Sequence, residues 1–238
     1  MIGIIGGNGV AATNKLNEII EEKITLRGGY RDAHHPEIIS WQATQVPSRS
    51  MYLEGRGKSF IPDYVRIGKL LKSCGCTELC MCCNTAHYAI DILEKEIGLP
   101  FINILDEVAI KANELGCKKI GMMCSDGLRK VGLYEERFKI YAKDTIIIYP
   151  SDKFQKIVTK GICNAKNDSR FLPTTNEDNP TFCFNKVVEH LIDLGVDGIV
   201  AGCTDICNVY TYNNINIKYI DSLTVLADSI IKRHSLSL

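Results

Sequence analysis

Apolar residues in this chain fall into short runs separated by longer stretches in which apolar and polar residues mix. The runs at 2–5, 37–40, 79–82, 101–104, 119–123, 145–149, 198–201 and 218–220 are strand-length and often β-branched. Between them the apolar positions recur at three- and four-residue spacings, as at Leu16, Ile19 and Ile20. That periodicity predicts helices over 12–25, 63–73, 86–96, 106–115, 128–142, 154–160, 183–194 and 222–233. Gly116 and Gly195 follow two of these as stop signals. Strands alternating with helices predict an α/β chain with mostly parallel sheet and helices on both faces.

Two stretches break the alternation. Residues 161–180 are polar and turn-rich and are expected to form a surface loop beside a site. Residues 45–57 carry VPSRS and EGRG, with Arg49 and Arg56 in glycine- and serine-rich surroundings. The chain also echoes itself. IGIIGGNG at the N-terminus resembles IGMMCSDG at 120–127, and MCCNTAH at 81–87 resembles AGCTDI at 201–206. Gly6 and Cys83 are separated by about eighty residues, as are Cys124 and Cys203. In parallel α/β sheets functional groups gather beyond the carboxyl ends of strands. Two facing lobes built this way would set two cysteines on opposite walls of one cleft.

Composition narrows the classes. The 238 residues suffice for one large or two modest α/β units. Lys+Arg and Asp+Glu both total 28, so neither nucleic acid nor an acidic membrane is an expected partner. No secretory or spanning segment is expected, and the expected location is the cytoplasm. The eleven cysteines are an odd number in a chain too long to need staples, which favours reduced thiols. The cluster Cys74, Cys76, Cys80, Cys82 and Cys83 lacks paired C-x2-C spacing and a histidine set, so no metal is expected there.

The chemistry then rests on Cys83 and Cys203. Inverting an α-carbon without a cofactor needs a base on one face and a proton donor on the other. Thiols suit this, because local amides bring their ionisation towards neutrality. Cys83 is followed by Asn84 and Thr85, and Cys203 by Thr204, each leading into a predicted helix. These groups and the free N–H donors of a helix start would receive a carboxylate. On the residues alone, strand-end cysteines that merely pack remain an equal alternative. The run GIIGGNG is a partial dinucleotide fingerprint without a clean second strand bearing a ribose acid. It also suits close approach of backbone to a small anion.

Together, CNTAH at 83–87, GCTDI at 202–206, IGIIGGNG leading to Thr13, VPSRS at 46–50 and Leu133–Tyr134 resemble the aspartate/glutamate racemase family, over about residues 2–230. The resemblance implies two similar three-layer α/β lobes, related by a pseudo-twofold, with the active site in the cleft between them. It implies racemisation of a small acidic amino acid, aspartate or glutamate, without pyridoxal phosphate, metal or other cofactor. Cys83 and Cys203 would be the catalytic thiolate and thiol. Gly7, Asn8, Gly9, Thr13, Asn84, Thr85, Ser125 and Thr204 would contact substrate. Arg49 and Lys160 would meet the side-chain carboxylate. A homodimer is implied as well.

The expected lobes are 1–108 and 109–213, with 214–238 returning to the first as strand and helix. Departures from the family pattern fall at Asn8-Gly9-Val10, at Ser125-Asp126-Gly127-Leu128, where a hydroxyl is lost and a charge gained, and at Cys207 in place of proline. They leave open a racemase of other amino acids or hydantoins, a maleate-type cis–trans isomerase whose cysteine adds to substrate, and a non-catalytic binding protein for small carboxylates or a nucleotide.

Overall fold

The computed structural model describes residues 1–234. In chain order the first elements are β1 (Ile2–Gly6), α1 (Val10–Leu26), β2 (Ile38–Gln42), α2 (Arg49–Leu53), α3 (Ile61–Ser73), β3 (Glu78–Met81), α4 (Ile90–Ile97), β4 (Phe101–Ile102) and α5 (Ile104–Glu114). They are followed by β5 (Lys119–Met123), α6 (Asp126–Val131), α7 (Leu133–Tyr141), β6 (Ile146–Ile148), α8 (Asp152–Asn164), α9 (Pro180–Asp193), β7 (Gly198–Ala201), α10 (Thr204–Val209), β8 (Lys218–Asp221) and α11 (Ser222–His234). The fold is α/β, with two four-stranded sheets in the orders β2-β1-β3-β4 and β6-β5-β7-β8. Every ladder between these strands is parallel. The two orders are the same order used twice, so β1 corresponds to β5 and β3 to β7.

Apart from Glu78 at the start of β3 and Lys119 at the start of β5, the central strands are apolar, because helices cover both faces of a parallel sheet. All five residues of β1 are buried. Helix α1 turns Ala12, Leu16, Ile19, Ile20 and Ile24 inward and leaves Lys15 and Glu18 outside as an ion pair. Helix α3 starts with a proline and packs so close to α4 that a Cβ on Gly68 would lie 2.2 Å from Ile97 Cδ1.

The chain divides into two compact units, Met1–Ile104 with Leu223 onward, and Leu105–Ser222. This corrects the expected organisation in one respect. The late strand does not return to the first lobe: β8 pairs with β7 as an edge of the second sheet. Only the helix goes back. Its buried residues Leu223, Leu226, Ala227, Ile230 and Ile231 keep a three–four spacing. Asp228 meets Lys23 at 2.9 Å and Arg27 at 3.2 Å, and Glu78 meets Arg233 at 3.0 Å and His234 at 2.7 Å. Residues 235–238 of the expected returning segment lie outside the described residues. The single helix expected over 128–142 is two, because Gly132 turns left-handed at φ 66° and ends α6.

Candidate functional site

In each sheet the chain leaves the inner first strand for one edge, then comes back to its other side. The adjacent strands β1 and β3, and likewise β5 and β7, flank such a reversal. In parallel sheets, loops beyond the carboxyl ends diverge at such a reversal, which is where ligands commonly bind. Both cysteines lie at these points. The ladder runs one residue past β3, where Cys82 N–H donates to Ile5 at 3.1 Å, and one past β7, where Gly202 N–H donates to Met123 at 2.8 Å. The next residue is Cys83 in the first unit and Cys203 in the second. Both have extended backbone, both are partly exposed, and both precede a six-residue helix. After Cys203 this is α10; after Cys83 it is a tighter 3-10 turn, Asn84–Ala89, where an α-helix was expected.

In the first unit the glycine turn after β1 is held from within. Gly7 is left-handed at φ 77°, and a Cβ there would lie 2.4 Å from the Ala43 amide nitrogen. Thr13 Oγ1 accepts the Gly7 N–H at 3.0 Å and donates to the Gly9 carbonyl at 3.1 Å. Thr13 is fully buried, so it shapes the turn from behind. The Asn8 amide donates to the Tyr64 hydroxyl. Arg49 opens α2 and donates to Pro47 at 3.0 Å and to the Asn8 carbonyl at 3.4 Å. Burial pushes the Tyr64 phenol well up; Cys83 nearby adds to this, while Arg49 opposes it. Gly7, Asn8, Gly9, Thr13, Arg49 and Cys83 are thus joined in one cluster through Tyr64. Asn84 and Thr85 are buried immediately after the thiol.

His87 stands behind Cys83. Its Nδ1 lies 3.0 Å from the Cys83 carbonyl, and its Nε2 accepts the Ile104 N–H at 3.3 Å. The Ile102 carbonyl also lies 3.4 Å from Nε2. A neutral ring protonated on Nδ1 suits the first two contacts. It ties the backbone of the thiol to the start of α5.

The second unit is built differently. Ser125 accepts the Leu128 N–H at 3.4 Å as the N-cap of α6. The new charge at Asp126 is engaged on both oxygens, by Gln155 at 3.0 Å and Thr159 at 2.8 Å. Thr204 is buried beside Cys203. Cys203 Sγ donates to Asp205 Oδ2 at 3.8 Å, and Lys166 reaches the same oxygen at 2.8 Å. Lys160 is engaged elsewhere: its ammonium pairs with Asp178 at 2.7 Å, which raises its ionisation point. Burial pushes Cys124, at the end of β5, well up as a thiol. Tyr64, His87, Lys166 and Asp205 were not singled out from sequence. His87 and Asp205 lie inside the quoted motifs, whereas nothing local marks Tyr64 or Lys166.

All eleven cysteines are reduced. Among the described residues no three His, Cys, Asp or Glu side chains gather as a metal site. Among them, too, no helix is long and apolar enough to cross a membrane.

The model of the Asp/Glu/Hydantoin racemase family matches residues 2–230. A Bacillus subtilis protein, broad specificity amino-acid racemase RacX, is 23% identical over 237 residues, covering 98% of each chain. The Picrophilus torridus aspartate racemase structure superposes with a TM-score of 0.80 at 25% identity, over 97% of this chain and 92% of the other. The Campylobacter jejuni glutamate racemase gives 0.64 at 17% identity, over 100% and 87%. This last likeness is one of fold.

Proposed function

Since the chain belongs to the Asp/Glu/Hydantoin racemase family, we propose that it inverts the α-carbon of an acidic amino acid, aspartate or glutamate, using Cys83 and Cys203 as its acid/base pair. The observation that carries this reading is the repeated placement of the thiols. In two sheets of one strand order, a partly exposed cysteine on extended backbone follows two residues beyond the switch-point strand. One thiolate takes the α-proton, and the other thiol returns a proton to the opposite face. The intervening carbanion is stabilised by binding of the α-carboxylate and by the timing of the two transfers. No pyridoxal phosphate enters the proposal.

Asn84, Thr85 and Thr204, with the glycine turn Gly7–Gly9, hold the α-carboxylate. Arg49 faces the distal carboxylate, and its anchorage to Pro47 and Asn8 fixes the guanidinium in advance. Lys160 joins it when it exchanges Asp178 for substrate. The same reading carries a homodimer acting in the cytoplasm. A second substrate reading, a wider range of amino acids, is favoured by the RacX likeness. It is favoured too by Leu128, which is buried and apolar where the family pattern puts a hydroxyl.

The test is α-proton exchange in deuterated water, followed by NMR for aspartate, glutamate, alanine and larger amino acids without added cofactor. Exchange fastest with aspartate or glutamate is the expected result. Equal rates across neutral amino acids would replace the acidic substrate by the broad one. Absence of exchange with every amino acid would overturn the reading.

A further inference from the structure

Lys166 lies in the polar stretch after α8, outside the motifs used so far. Its side chain is 46% exposed, yet it ends 2.8 Å from Asp205 Oδ2, on a side chain only 8% exposed. That oxygen is the one Cys203 reaches at 3.8 Å. A surface ammonium, a buried carboxylate and a thiol therefore form one chain. The geometry points to Lys166 as a positioning residue that sets, through Asp205, how firmly Cys203 keeps its proton. This rests on the reading of Cys203 as an acid/base group.

The argument is electrostatic. A carboxylate within reach of a thiol accepts its S–H and repels the thiolate. Acting alone, Asp205 would hold Cys203 as a proton donor and oppose its use as a base. Both roles are needed in a reaction that runs in both directions. Lys166 cancels part of the carboxylate charge and lowers that bias. Because it is half in water, its influence is also screened by salt.

The surrounding elements add other groups. At the end of β5, Cys124 is kept neutral by burial, as is Tyr134 on α7. On α8, Lys160 is committed to Asp178, and on α9 burial raises the Cys183 thiol. Cys207, one turn along α10, turns its sulfur to the Ala201 and Cys203 carbonyls and to Ser222. Asp205, paired with Lys166, bears on Cys203 directly through a hydrogen bond.

The experiment is alkylation of Cys203 by iodoacetamide as a function of pH, without substrate. Peptide mass spectrometry reads Cys203, with Cys83 as the control in each sample. Lys166→Met should move the Cys203 midpoint up by about 0.5–1 pH unit, and the shift should shrink in high salt. Lys166→Arg should restore the parent curve. Asp205→Asn should move the midpoint down by about one unit or more. A Lys166→Met curve that coincides with the parent would overturn the proposal, whatever Asp205→Asn does. So would a Lys166→Met shift shared equally by Cys83. The readout needs no turnover, so a flat result leaves the racemase reading standing, and a failed racemase assay leaves this result standing.

Discussion

The two cysteines occupy corresponding places in two sheets of identical order, yet their surroundings have little in common. Around Cys83 the structure sets a guanidinium, a phenol, an amide and a neutral-compatible imidazole. Beside Cys203 it sets the Asp205 carboxylate, held by Lys166, while the Asp126 carboxylate after β5 is held by Gln155 and Thr159. The turns preceding them differ as well. After β1 a left-handed glycine is needed, whereas after β5 Ser125 has an ordinary extended conformation and caps a helix. Strand order fixes where a thiol is presented; loop chemistry sets what surrounds it. A repeated fold thus supplies two matched positions without two matched environments, which is what the proposed exchange between a proton donor and a proton acceptor would use.

The largest expected effect comes from the thiols themselves. Cys83→Ser and Cys203→Ser should each lower racemisation by about 10³-fold or more, because a hydroxyl is a far weaker base at neutral pH. In deuterated water each variant should retain wash-in to one enantiomer only, the two variants giving opposite hands. A double variant as fast as the parent would remove both cysteines from the chemistry.

The turn difference predicts the next effect. Gly7→Ala forces a side chain into a left-handed residue and against the Ala43 backbone, and should cost about 2–4 kcal/mol by denaturant unfolding. The corresponding position in the second unit is more forgiving. Ser125→Ala loses one capping bond and should cost about 1 kcal/mol. Equal losses at the two positions would mean the turns are interchangeable after all. Between these in size lies Arg49→Ala, which should reduce kcat/KM for aspartate and glutamate by about 10–100-fold while sparing alanine. An equal loss on all three substrates would assign Arg49 to the integrity of the turn it bonds.

The central strands were the most legible from sequence, because burial on both faces writes them as largely apolar runs. Seven of the eight strands match or lie inside their expected runs to within a residue; β2, Ile38–Gln42, ends two residues beyond the run expected over 37–40. The helix ends were less so. Gly132 sits inside an otherwise helical run, and a glycine there is compatible with either a continuous helix or a break; the left-handed φ decides. The placement of β8 could not be read from its residues, since Lys218–Asp221 would suit the edge of either sheet. At the site, motif residues next to the cysteines were visible as polar groups after apolar strands. Tyr64 and Lys166 were hidden because their partners lie far along the chain. An interior tyrosine reads as core, and a lysine in a polar stretch reads as solvated charge. Only tertiary structure puts the one against Asn8 and the other against Asp205.

The return of α11 has a consequence for biosynthesis. The second unit is one uninterrupted stretch of chain, Leu105–Ser222, while the first is interrupted by it. As the chain leaves the ribosome, β1 to β4 emerge first, but the helix that brings Asp228 to Lys23 and Arg233 to Glu78 emerges only after the whole second unit. The unit that is begun earlier is therefore completed later. During that interval the apolar face reserved for Leu223, Leu226 and Ile230 must be shielded by the nascent chain itself or by a chaperone.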